Sequence, residues 1–292
     1  MNNSSINKPL VSVIMPAYNA EKYISEAVES ILNQTYINFE FIILDDGSTD
    51  NTWKIISSYA AKDKRIVLVK NDSNLGIVAG RNKGLEVSQG KYIVWADSDD
   101  ISLPTRIEKQ VDFMENNLDV GICGAYIQSF VDGVDKDVRK YSTNDESLRR
   151  NIFKYSPVAQ PVSIIRKECF KEVGLYNPDY RVSQDLDMSF RIGTKYRFAN
   201  IPEVLLKYRV HPKSATYSNI NKQIVNTLKI RRTYSRSGMY NMTLLDKVAY
   251  FLTWLMQFLP VNIVLCMFKF FRSADTVLTV SKDERSRYFK NA

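Results

Sequence analysis

An α/β architecture, a mostly parallel sheet flanked by helices, is what this chain of 292 residues predicts for its first half. Two observations predict it. Short apolar runs of strand type alternate with stretches whose apolar residues recur at helical spacing, one pair in about every 25 to 30 residues. The composition, 45% hydrophobic and 25% charged, is that of a globular protein and excludes a disordered, collagenous or polytopic membrane chain.

The elements follow in order. Residues 11–15 form a first strand, stopped by Pro16. Residues 21–32 place Tyr23, Ile24, Ala27, Val28, Ile31 and Leu32 on one helix face, with Asn19 as its N-cap. A second strand spans 39–44, and a helix over 52–61 turns Trp53, Ile56 and Tyr59 inward. A third strand covers 66–69, and residues 78–87 read as helix despite Gly80 and Gly84. The fourth strand is 92–96, after which Pro104 opens a helix with Ile107, Val111 and Met114 on one face. There is no internal repeat.

Cys123, Cys169 and Cys266 lie far apart in apolar surroundings and read as buried thiols in a reducing compartment. One histidine, His211, excludes zinc sites built from several imidazoles. No secretory signal is visible, so a cytoplasmic location is expected. The net charge of +8 is matched by eight basic residues between positions 204 and 245, a stretch without Asp or Glu: Lys207, Arg209, Lys213, Lys222, Lys229, Arg231, Arg232 and Arg236. Such a block points to an anionic partner or to a solvated helix face. Residues 248–268 then carry no charge, with Pro260 inside the run. That length meets the ~20 residues of a spanning helix, but the proline favours an interfacial hairpin or a kinked helix over a straight span, with a buried hairpin or dimer interface the alternative. Contact with a membrane surface is therefore expected of residues 216–272, and residues 273–292 read as a polar tail.

In sheets of this kind ligands bind beyond the carboxyl ends of the strands. There the sequence sets Pro16, Ala17, Tyr18 and Asn19 after the first strand, Asp45 and Asp46 after the second, and Asp97, Ser98, Asp99 and Asp100 after the fourth. Five carboxylates in one crevice call for a cation to offset them. Asp97 and Asp99, two apart in an extended segment, project to one side and suit Mg2+ or Mn2+. The turn segment at Asp45 and Asp46 offers a carboxylate to a base N–H or a ribose hydroxyl, and Arg81 either clamps a diphosphate or pairs with an aspartate. Neither G-x-G-x-x-G nor G-x-x-x-x-G-K-S/T occurs, which removes the dinucleotide and P-loop readings. A nucleotidyltransferase is disfavoured by the glycine-free loop after the first strand. A nucleic-acid partner is not expected, because few aromatics interleave the basic block and it abuts an apolar run.

As a set, VSVIMPAYN, FIILDDGSTDNT, NLGIVAGRNKGL and GKYIVWADSDD, in this order and with these gaps, resemble the nucleotide-sugar half of the family 2 glycosyltransferases, which have the GT-A fold. The resemblance implies a catalytic domain over 1–215, with a nucleotide-sugar half at 10–115 and an acceptor half at 116–215. It implies that Pro16, Ala17, Tyr18, Asn19, Asp45, Asp46, Arg81, Asp97 and Ser98 hold the nucleotide-sugar. Asp99 and Asp97 would hold the metal, with His211 either a further ligand or an ordinary strand-end histidine. Gln184-Asp185-Leu186-Asp187 resembles the family's acidic motif, in which Asp185 would be the catalytic base; Gln184 stands where the family often has Glu, and Gln160 where it often has His before Pro. An acceptor hydroxyl needs such a base as it attacks, and a single base opposite the leaving diphosphate implies inversion at the anomeric carbon. The resemblance further implies a UDP-sugar donor, with dTDP-rhamnose the alternative. The apolar tail suggests a lipid-linked glycan acceptor, as in surface polysaccharide assembly at the cytoplasmic face of a membrane.

Overall fold

The computed structural model describes residues 8–211, 220–260 and 263–264. The expected alternation is present: β1 (Val11–Ala17), α1 (Ile24–Leu32), β2 (Phe39–Asp45), α2 (Thr52–Ala60), β3 (Ile66–Lys70), α3 (Ile77–Val87) and β4 (Tyr92–Trp95). Their strands lie parallel in the order β3-β2-β1-β4. Beyond them come β5 (Ile101–Ser102), α4 (Arg106–Asn116), β6 (Val120–Val131), β7 (Val134–Arg139), α5 (Asp145–Arg150), β8 (Ile164–Arg166), α6 (Lys167–Val173), α7 (Gln184–Ile192) and β9 (Arg197–Arg209). The sheet continues as β4-β8-β6-β9-β5 with β7 on β6, so one sheet carries both halves. Only β6 and β9 are parallel in this second part; β8, β5 and β7 join antiparallel.

Both faces of the sheet are covered, which is why its strands read as unbroken apolar runs. In β1, Val11, Val13 and Met15 pack with Ile24, Val28, Ile107 and Met114 on one side. Ile14 packs on the other with Val78, Leu85, Trp95, Tyr176 and Phe190. The glycines of α3 serve that packing. A Cβ at Gly84 would stand 2.5 Å from Ile14 Cγ2, so α3 reaches this depth against β1 only because the side chain is missing.

Three expectations are corrected. Asn19 does not cap α1, whose N-cap is Tyr23; with φ 48° it turns its Oδ1 to Thr49, accepting from the Thr49 amide at 2.9 Å. A link between the first two strand-end loops has displaced the local cap. Asp187, whose place in the sequence favours a solvent-facing helix position over one backing the site, is buried, accepting from Arg191 Nε and Nη2 and from Tyr234 Oη. The basic block is not one solvated face. Lys207 pairs with Asp135 at 3.0 Å, Arg209 lies in the strand-end crevice, and Arg231 is buried, donating to the Lys154 carbonyl at 2.5 Å. Its Lys213 lies outside the described residues. The apolar run breaks before Pro260, in keeping with the interruption expected there: α8 (Ile220–Arg236) is followed by α9 (Leu244–Leu255) and a 3-10 turn, Met256–Phe258. Among the described residues no helix is long and apolar enough to cross a membrane. Cys123 and Cys169 are buried, while Cys266 and the polar tail lie outside the described residues.

Candidate active site

Three strand ends and one helix N-terminus converge on a single crevice. The parallel register places the end of β1 beside the end of β2, pairing Pro16 with Leu44 and Ala17 with Asp45. The loop after β1 leaves Tyr18 exposed and holds Asn19 by its amide to Ser48 Oγ at 3.0 Å. Asp45 is fully buried. Its Oδ1 accepts from the Ser48 amide at 3.3 Å, and its Oδ2 has no hydrogen-bond partner. A buried carboxylate oxygen left in this state is costly and suits an incoming N–H or hydroxyl. Asp46 does a different job. Its oxygens accept from Asn71 Nδ2 (2.8 Å), the Leu75 amide (3.0 Å) and the Gly76 amide (2.8 Å), so it shapes the turn that starts α3.

The same turn and the depth of α3 position Arg81, which is buried with its guanidinium 5.3 Å from the Trp95 ring and 5.6 Å from the Tyr176 ring. Its Nη2 stands 4.0 Å from Asp97 Oδ1, while Nε and Nη1 are buried without a hydrogen-bond partner. Donors of fixed positive charge held open toward carboxylates form an anion clamp. Tyr176 is anchored by Gln160 Nε2 at 3.0 Å and by the reciprocal bonds of its backbone with Asn82. Trp95 is a core residue, as its strand setting suggests, yet its Nε1 also lacks a partner.

After β4, one ligand atom from each of Asp97, Asp99 and Asp100 falls within 4.8 Å of the others. Burial pushes the Asp97 carboxyl up to about 6 against the pull of Arg81, and the charges of Asp99 and Asp185 add to the rise. Burial holds Asp100 well above the usual carboxylate range, with Asp97 and Asp99 next in importance. Asp100 Oδ2 is buried with no partner. An all-oxygen trio in which burial raises two of the carboxyls and one oxygen is left without a partner fits a hard divalent ion. Ser98 lies half-buried between the first two aspartates.

Arg106, which motif reading missed, and Arg209, which the sequence places with His211 within reach of the metal or phosphates, back this trio. Arg106, fully buried on α4, donates to the Trp95 carbonyl at 2.8 Å and to Ser102 Oγ at 2.9 Å, and its charge lowers both Asp97 and Asp100. Burial lowers its own guanidinium to about 10. Arg209, at the end of β9, gives its amide to Asp100 Oδ1 and its Nε to the Asp99 carbonyl, both at 2.8 Å. Its guanidinium lies 4.4 Å from the Tyr23 ring and 4.5 Å from the Phe130 ring, and bonds Glu26 at 2.8 Å. His211 Nε2 lies 2.8 Å from Asp99 Oδ2 and approaches the trio through that oxygen. No sequence motif marks Arg106 or Glu26; only the fold brings them here.

Opposite stands the start of α7. Ser183, in the left-handed region at φ 61°, turns the chain so that half-buried Asp185 sits in the first helical turn, near enough to Asp97 and Tyr176 to raise both. Gln184 is buried with its Oε1 unpartnered. The structure thus brings Asp185 within electrostatic reach of Asp97, the first carboxylate of the trio, and of Tyr176, whose ring lies beside Arg81.

The sequence profile described as "Glycosyl transferase family 2" matches residues 12–174. An uncharacterized glycosyltransferase of Methanocaldococcus jannaschii is 39% identical over 224 residues, 75% of this chain and 77% of the relative. The UDP-Glc:alpha-D-GlcNAc-diphosphoundecaprenol beta-1,3-glucosyltransferase WfaP of Escherichia coli is 33% identical over 218 residues, 74% of this chain and 83% of that protein. Among solved structures, S. aureus TarS 1-349 in complex with UDP superposes with a TM-score of 0.65 at 18% identity, covering 95% of this chain and 77% of that one. The mannosyltransferase PcManGT from Pyrobaculum calidifontis, in complex with GDP-Man and Mn2+, gives 0.60 at 17% identity, covering 96% and 83%. These likenesses show the GT-A type of fold. With more than half of its length matched by the profile, the chain belongs to glycosyl transferase family 2.

Proposed function

We propose that the chain is an inverting, metal-dependent glycosyltransferase that moves a sugar from a nucleotide-diphosphate sugar, a UDP-sugar first, to a lipid-linked glycan at the cytoplasmic face of a membrane, in surface polysaccharide biosynthesis. The observation that carries it is a buried arginine with two unpartnered donors beside an acidic trio, with a further aspartate within electrostatic reach of Asp97. The acceptor and the membrane face are supported by the naming of WfaP, whose substrate is diphosphoundecaprenol-linked.

Residues 10–115 would bind the donor and 116–215 the acceptor. Asp45 Oδ2 accepts from the base or ribose, with Pro16, Ala17, Tyr18 and Asn19 forming the wall beside it and Asp46 holding the adjoining turn. Arg81 Nε and Nη1 bind diphosphate oxygens, and Ser98 lies beside them. Asp185 accepts the proton of the acceptor hydroxyl as its oxygen attacks the anomeric carbon from the face opposite the diphosphate. Asp97, Asp99 and Asp100 would hold Mn2+ or Mg2+, with His211 and Arg209 fixing Asp99 from behind. When bound, such an ion neutralises charge developing on the diphosphate.

A panel of UDP-, dTDP- and GDP-sugars tests the reading by thermal stabilisation and by hydrolysis, each with and without Mn2+. Stabilisation and slow hydrolysis by one donor, dependent on Mn2+, are expected. A protein indifferent to every donor overturns the proposal.

A further inference from the structure

The helix α9 is built inside out. A helix at a protein surface in water turns its apolar stripe inward and its polar side outward. Here Leu244, Leu245, Val248, Phe251, Leu252 and Leu255, which recur at one-face spacing, are all exposed, Leu244 by 77%. Facing the protein are Asp246, buried in the capping box with Thr243, and Thr253, which accepts from buried Arg231 at 3.5 Å. Phe258 and Leu259 prolong the outward face. This polarity is that of a segment whose outer solvent is not water.

Beside that face, α8 and α9 enclose a groove of about 570 Å3 lined by Arg232, Arg236 and Lys247 together with Tyr250, Phe251 and Trp254. Among the described residues no carboxylate lines it. Phe251 and Trp254 stack at 5.8 Å, and Phe258 meets Trp254 edge-on at 5.1 Å. Cations and amphipathic rings at the border of an apolar face match the headgroup level of a bilayer.

We propose that this groove and the outer face of α9 form a docking site for an anionic phospholipid bilayer, with a headgroup phosphate between Arg232, Arg236 and Lys247 and the leucines in the acyl layer. At twelve residues the helix is too short to span, since spanning takes about 20, so it lies in the plane of the interface. A second copy is the poorer occupant, because twofold pairing of this face would bring two sets of the same cations together. The inference deepens the reading of a membrane-borne acceptor, yet its test uses neither donor nor metal, so either can fail alone.

The full chain is mixed with vesicles of phosphatidylcholine alone or with phosphatidylglycerol, and sedimentation and tryptophan emission are followed. Sedimentation with the phosphatidylglycerol vesicles, reversed by salt, and a blue shift abolished by Trp254→Phe are expected; Trp95 is buried and Trp53 packs on the core beneath Lys70, so neither should respond. Arg232→Gln with Arg236→Gln should weaken binding roughly 25-fold, about fivefold per lost cation, while its melting temperature matches the parent. Binding that ignores phosphatidylglycerol, or a protein left in the supernatant at low salt, overturns the proposal. So does a blue shift that follows protein concentration without vesicles, which would mark a second copy as the cover.

Discussion

Replacing Arg106 with leucine tests whether the acidic trio depends on a hidden cation. The guanidinium is fully buried and makes two short bonds, to the Trp95 carbonyl at 2.8 Å and Ser102 Oγ at 2.9 Å, with longer ones to Gln110 and the Ser163 carbonyl. Leucine leaves those acceptors unpaired and removes the charge that lowers Asp97 and Asp100. Loss of one partner from a buried charge network costs about 3–5 kcal/mol. At roughly 2–4 °C per kcal/mol for a chain of this order of size, melting should fall by about 6–20 °C. Asp100→Asn in the leucine background should return about 0.5–3 kcal/mol, because the two buried charges interact. Urea and thermal melts of the two single variants and the double variant measure both quantities. An Arg106→Leu protein melting within about 2 °C of the parent, or strict additivity with Asp100→Asn, would refute the reasoning.

Three further outcomes are expected. Asp185→Asn should lower turnover at least about 100-fold, the lower end for a general base, while nucleoside-diphosphate affinity by calorimetry stays unchanged; retained turnover removes Asp185 from that role. Asp99→Ala should abolish transfer and the Mn2+-dependent part of thermal stabilisation, and full parental activity in EDTA contradicts the metal reading. Asp46→Ala, which releases the Asn71, Leu75 and Gly76 donors, should cost about 2–3 kcal/mol in urea unfolding; an unchanged midpoint means that the turn holds itself.

The first half of the fold was legible because β1, β2 and β4 are buried on both faces and each helix on one, so periodicity separates them. The strand-end aspartates were legible because their positions follow from the strands. Arg106 was not, since nothing local distinguishes a buried arginine on α4 from an exposed one. Asn19 has cap chemistry, and only the neighbouring loop shows that Thr49 claims its oxygen first. Asp187 at the start of an amphipathic helix reads as solvated until Tyr234, 47 positions on, supplies its partner. The basic block misled for a similar reason: Lys207, Arg209 and Arg231 lack acidic neighbours in sequence but find Asp135, Glu26 and the Lys154 carbonyl in space.

The bond between Asp187 and Tyr234 joins α7 to α8, and Phe190 stacks on the Tyr234 ring within 3° of parallel at 4.6 Å. Arg231, one turn earlier on α8, reaches Thr253 of α9. Asp185 is thus coupled through stiff contacts to the outer leucines, rather than hung from them by a tether. The height and tilt of the crevice above whatever plane α9 occupies are then fixed by geometry, like the working distance of a lens. Reattaching the same apolar residues through a flexible linker would restore attachment without restoring focus, and acceptors carrying their reactive hydroxyl at different distances from that plane would be sorted by length.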